Sequence, residues 1–214
     1  MTRVVLLHDL GAEDAGEPWR GAAPAEWHIP DLPGHGMTAA PRHGAYDPMG
    51  PVTLARWALA DDPAAGLAVG IGQNAHGALI LAAGGGCGAV AVVNGLWGPW
   101  KDPVEAIHEM YANLRAIAAD SDALAPAPPS GLDPRTRHGY GVNVSPTFAA
   151  KFWGAISCPV LAIETPASTT PPGERDARVA LFGGQTTLVE LDDLSPAAAV
   201  AAVAAWMPTA FDVT

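Results

Sequence analysis

Two short stretches carry side chains that could move protons or hold a small molecule. In residues 66–78 an apolar run leads into Gly72, Gln73 and Asn74, followed by Ala75, His76 and Gly77. In residues 3–11 a second apolar run ends in His8, Asp9, Leu10 and Gly11. Imidazole titrates near neutral pH, and a carboxyl group can also trade protons when its surroundings tune it. Asn74 offers only an amide, neither a useful nucleophile nor a base, so its uses are hydrogen bonding and shaping a turn. His76 reads in two ways: as an acid, base or donor on a pocket floor, or as the second residue of a helix packed against a loop. His8 and Asp9 divide in the same way, between chemistry and the shaping of a loop with backbone donors.

Such residues need elements to hold them. The run in 3–11 is β-branched at its start and too short for a helix, which predicts a strand buried on both faces. A polar loop and a weak helix around Trp19 follow, and residues 26–29 predict a second short strand. Residues 51–60 open on a proline and carry apolar spacings of three and four, the mark of a helix. Residues 66–78 predict a buried strand, a sharp turn and a helix to residue 83; 89–93 predict a further strand. Strands at 159–163 and 186–191 follow, with helices at 173–182 and 195–207. Between them, 97–157 breaks the rhythm with helices at 103–119 and 147–153. Alternating strand and helix implies a parallel α/β sheet, here six strands in spatial order 2-1-3-4-5-6, helices on both faces, and its pocket at the carboxyl ends of the strands.

Composition narrows the classes. With 214 residues, 49% hydrophobic, the chain can bury one core, so residues 1–214 are expected to form a single domain with 97–157 as an insertion. Gly and Pro, 24 and 21 residues, punctuate many short elements. The net charge of −11 repels phosphate backbones and anionic lipid, which argues against nucleic acid and membrane surfaces as partners. Cys87 and Cys158 lack CxxC or His-rich company, so no metal and no cofactor is expected. They read as small buried hydrophobes of a reducing compartment, and with no apolar leader or span the expected location is cytoplasmic.

Three motifs together resemble the α/β-hydrolase superfamily over nearly the whole chain. Residues 4–11 resemble its strand followed by His-Gly-x-Gly. Residues 31–36, Asp-Leu-Pro-Gly-His-Gly, match its turn word for word. Residues 66–78 resemble its nucleophile elbow, Gly-x-Ser-x-Gly. The resemblance implies an α/β-hydrolase fold that begins at the family's third strand, with a short helical cap at 97–157. It sets Asn74 at the serine, with φ > 0 that asparagine tolerates, Ser168 near the acid with Asn94 as the alternative acid position, and Pro196 near the histidine. All three roles are then vacant, since no histidine follows His138. Leu10 and Ala75 N–H groups would form the oxyanion hole. A ligand would meet His8, Asp9, Leu10, Gln73, Asn74, Ala75, His76 and Trp97 under the aromatic insertion. The expected protein is non-hydrolytic and binds a small apolar molecule or a protein partner. The alternatives are an atypical lyase, isomerase or hydrolase using His76, His8 or Asp9 as acid or base, and a structural subunit with a collapsed pocket.

Overall fold

Runs of small and β-branched apolar residues pair side by side into the sheet, because strands buried on both faces need no polar alternation. The computed structural model describes residues 2–12, 14–41, 46–96, 102–120, 131–139, 146–193 and 195–211. Among them, β1 (Arg3–Leu7), β2 (Gly66–Ile71), β3 (Ala89–Val93), β4 (Val160–Glu164) and β5 (Thr186–Glu190) form a parallel sheet in the order β1-β2-β3-β4-β5. The register aligns Leu7 with Gly70, Ile71 with Val93, and Val93 with Ile163, so the strand ends that carry the loops of interest lie in one row.

The sheet has five strands, not the expected six. Residues 26–29 contribute one parallel bridge, between Val5 and His28, beside β1. Pro24 and Pro30 cause this: neither has an N–H to donate, and a turn from Trp27 N to Pro24 O uses up the start of the segment. The segment lies where the second strand was expected, outside β1, but stays too short to continue the ladder.

Two apolar layers cover the sheet. On one face Val5, Leu7, Ala68, Val90 and Val92 pack against α2 (Met49–Ala58), α3 (Ala75–Ala83) and α5 (Pro146–Gly154), with Trp153 fully buried there. On the other, Leu6, Val69, Val93 and Ile163 meet α1 (Glu17–Ala22) and α7 (Pro196–Phe211) through Trp19 and Val203. Helix starts follow their residues. The Ser195 hydroxyl accepts from Ala198 N at the start of α7, and the Asp102 carboxylate accepts from Val104 N at the start of α4 (Pro103–Ala119). The helix expected at 173–182 contracts to α6 (Arg175–Val179) after a tight turn. Among the described residues no helix is long and apolar enough to cross a membrane. Cys87 and Cys158 are free thiols just before β3 and β4, at the sheet edge opposite the loops described below.

The turn after β2 depends on Gly70. A Cβ there would stand 2.6 Å from Ala75 Cα and 2.7 Å from the Asn74 carbonyl oxygen, both backbone atoms that cannot step aside. Gly70→Ala is therefore expected to cost about 1–3 kcal/mol, as overpacking does. Gly21→Ala, in α1 with nothing within 4 Å of its Cβ, should be neutral or gain up to about 1 kcal/mol from helix propensity. Urea unfolding of both variants checks the pair, and equal midpoints would contradict this packing.

Candidate functional site

The loops leaving β1, β2, β3 and β4 converge at the carboxyl edge of the sheet, where open α/β sheets bind ligands. They enclose a cavity of about 570 Å³ lined by Asp9, Pro18, Trp19, Ile71, Gly72, Gln73, Asn94, Ala167, Thr169 and Pro196. Most of these are apolar. Asp9 is the charged residue among them, and the described lining holds no histidine, serine or cysteine.

The cavity is organised around the Asp9 side chain. Its Oδ1 accepts the backbone N–H of Leu10 at 2.9 Å and that of Gln73 at 3.0 Å, joining the turn after β1 to the turn after β2. The other oxygen lies over Gly72: a Cβ built on Gly72 would stand 2.2 Å from Asp9 Oδ2. Gly72 has φ +54, in the left-handed region where glycine is at ease. Asn74 has φ −76 and ψ −6, ordinary helical values. The left-handed position of the turn is thus Gly72, two residues before the expected Asn74. The second donor beside Leu10 is likewise Gln73, not Ala75, whose N–H is engaged by the Gly72 and Gln73 carbonyls within the turn. Both corrections have one cause. The sequence offers glycines at 70 and 72, and only the frame with Gly70 at the close contact lets α3 approach β2.

Burial raises the Asp9 carboxyl above its ordinary value, and the two backbone N–H groups offset only part of that effect. Its imidazole neighbours do not balance it with charge. His8 is almost wholly buried; its Nδ1 donates to the Asp9 carbonyl at 2.8 Å and its Nε2 accepts from Leu32 N at 3.4 Å, an arrangement that assigns the neutral tautomer. Burial pushes His8 down to about 4. His35 lies edge-on to it, ring centroids 5.0 Å apart, accepts from Gly11 N, and is also lowered by burial. The two histidines of the flanking motifs are thereby braces between loops.

The remaining expected residues divide sharply. Leu10, Gln73 and Asp9 meet in one place. Asn74 is fully buried, and its Nδ2 donates to the His8 carbonyl, tying the same two turns from below. Ala75 is buried at the start of α3. His76 packs against Phe152 of α5, ring centroids 5.4 Å apart, away from the cavity lining; burial pushes it down to about 4. Trp97 lies outside the described residues. Ser168 donates to the buried Glu164 carboxylate, so its neighbours Ala167 and Thr169 line the cavity instead. Asn94, at φ 52, clamps the ends of β3 and β4 through paired bonds with Thr165 at 3.0 Å. Pro196 stands in the wall. Of the insertion, Gly139 closes over Gln73: a Cβ at that residue, φ +63, would stand 2.2 Å from Gln73 Oε1. Sequence reasoning missed Pro18 and Trp19 at the start of α1, Ile71 at the end of β2, and Ala167 and Thr169 in the loop after β4, for which the available signal was nearness to the carboxyl ends of the strands.

No protein-family model matches the sequence, and no curated protein matches it. Solved structures do. An esterase from Thermogutta terrifontis superposes with TM-score 0.70 at 14% identity, over 99% of this chain and 91% of its own. An α/β hydrolase from Sphaerobacter thermophilus gives TM-score 0.62 at 16% identity, over 96% and 92%. A haloalkane dehalogenase variant from Bradyrhizobium elkanii gives 0.61 at 14%, over 97% and 89%. The fold is the α/β-hydrolase fold. In that fold the strained residue at the end of the elbow strand presents a side chain to the site. At the bend that follows β2 here, Gly72 has no side chain and the Asp9 carboxylate overlies it.

The buried imidazoles fix a pH dependence. His8 is lowered in the folded chain, so as pH falls the unfolded chain takes up the proton first. The His8 contribution to stability is complete above pH about 6.5, is lost between there and pH about 4, and changes no further below. For a shift of that size the loss is about 3 kcal/mol. Asp9 and Glu164, both raised by burial, take up protons first in the folded chain and oppose this loss as pH falls through their raised values. The check is the difference between wild type and His8→Gln in urea unfolding across this window: the variant should lose less stability on acidification, and parallel curves would contradict the assignment.

Proposed function

We propose that this hydrolase-fold chain binds a small, mainly apolar molecule in the cavity beside Asp9 and does not carry out serine-hydrolase chemistry. The observation that supports this reading is the Asp9 carboxylate engaged by the Leu10 and Gln73 N–H groups above a side-chain-free Gly72. Acyl transfer of the serine type needs a hydroxyl at the bend, a histidine within reach of it, and open N–H donors for the developing oxyanion. In the reading proposed, Gly72 supplies no hydroxyl, Pro196 stands on the side from which the histidine would reach, and Asp9 takes the donors. A cavity of about 570 Å³ is in the range that small-molecule sites occupy, which favours a ligand over a collapsed structural remnant.

One observation favours a second reading. Asp9 lines the cavity and its carboxyl is raised by burial, the condition of a carboxyl group that serves as general acid or base. A proton transfer in a lyase or isomerase step would then run through Asp9. His76 and His8, which point into packing contacts, would take no part.

The test combines a reactivity probe with a binding measurement. A serine-directed fluorophosphonate should leave the protein unlabelled. Native mass spectrometry of the purified chain should show uptake of small apolar molecules, and Ala167→Phe, which fills the wall of the cavity from an exposed loop position, should reduce that uptake at least about tenfold, a difference of ~1.4 kcal/mol. Stoichiometric labelling would overturn the non-hydrolytic reading; binding unaffected by Ala167→Phe would overturn the cavity as its site.

A further inference from the structure

We propose that the cavity selects small apolar molecules that carry a protonated amine, with Asp9 as its acceptor, and turns away carboxylates. This rests on the ligand-binding reading above and names the class of ligand. Three observations carry it. First, the two backbone N–H groups that could receive an anion, those of Leu10 and Gln73, both point at Asp9 Oδ1. An incoming carboxylate would meet a carboxylate in place of donors. Second, both of these bonds go to Oδ1, and Oδ2 accepts no hydrogen bond among the described residues, while standing at the cavity wall over Gly72. That oxygen offers lone pairs to a donor on a ligand.

Third, Asp9 has no counter-ion among the described residues. The groups that face it are His35, whose charge would lower its carboxyl, and His8 next to it in the chain; burial pushes both imidazoles down, away from the charged form. Arg20, whose charge reaches the neighbouring His8, is already paired with Glu17 and Asp31. No Lys or Arg lines the cavity among the described residues. A partly buried carboxylate without a cation is costly, and a bound ammonium supplies the missing charge together with an N–H donor. Trp19, in the same wall, is the side-chain type that best accepts a cation at its ring face. Pro18, Ile71 and Pro196 provide apolar surface for the rest of the molecule. The net charge of −11 adds a field that concentrates cations.

The experiment uses the full chain and three probes of one shape: benzylamine, benzyl alcohol and benzoate, with dissociation constants from calorimetry or ligand-observed NMR at neutral pH. The amine should bind about tenfold or more tighter than the alcohol, the range expected for a partly desolvated charge-assisted bond, and benzoate should not bind. In Asp9→Asn, whose amide oxygen can still accept from Leu10 and Gln73, the amine-to-alcohol ratio should fall to about one. Should that variant fail to fold, acidification of the wild type serves in its place: the amine preference should vanish as Asp9 takes up a proton, and the alcohol affinity should not follow. Equal binding of amine and alcohol, or binding of benzoate, overturns the inference and leaves the cavity reading standing. Failure of all three probes to bind overturns both.

Discussion

Everything distinctive about the carboxyl edge of this sheet depends on one carboxylate oxygen accepting two backbone N–H groups. Asp9 Oδ1 receives Leu10 N and Gln73 N across a sequence separation of 64 residues for the latter. In an open hydrolase fold those donors would otherwise face the cavity, and buried unpaired N–H groups are costly. Asp9 satisfies both at once, and its own burial is tolerated only because it does. The glycine at 72 is the other half of the same constraint, because any Cβ there would occupy the space of the carboxylate. The bare bend at Gly72 and the Asp9 carboxylate over it are therefore one structural fact.

Around that pair the packing is arranged in braces. Asn74 and His8 tie the two turns beneath Asp9, His35 supports the loop through Gly11, and Gly139 lets the insertion close over Gln73. Farther out, Arg135 and Tyr46 both bond Asp133, fixing the segment 131–139 to the chain near Gly34 and Pro41. These polar contacts are buried and mutually satisfied, so they specify one arrangement of loops above an otherwise apolar sheet. The resulting cavity is braced by hydrogen bonds on its Asp9 side and mainly apolar elsewhere.

Much of this was legible in the residues. The strands at 66–71, 89–93 and 160–164 announce themselves as buried β-branched runs, and Ser195-Pro196 marks the start of α7 because a hydroxyl cap and a proline suit a helix entrance. The segment at 26–29 misled because its apolar pattern outweighed the two prolines that truncate it. The bend misled for a subtler reason. Gly70 and Gly72 have the same spacing as Gly72 and Asn74, and only the contact of Gly70 with the backbone of Ala75 selects between the frames. Asp9 was visible as a candidate, yet its role was not, since its partner Gln73 lies far along the chain and the bond is made to backbone, which no side-chain pattern reports. His76 stood out by type and proved a packing residue beside Phe152.

The central claim is that the Asp9 carboxylate, not a ligand or water, holds the Leu10 and Gln73 N–H groups. The most direct measurement is an NMR titration that follows the Asp9 side-chain carboxyl together with the Leu10 and Gln73 amides. A single transition shared by all three signals, lying above the ordinary aspartate range as burial requires, is the predicted result. An Asp9 that titrates at its ordinary value while the two amides ignore it would contradict the claim.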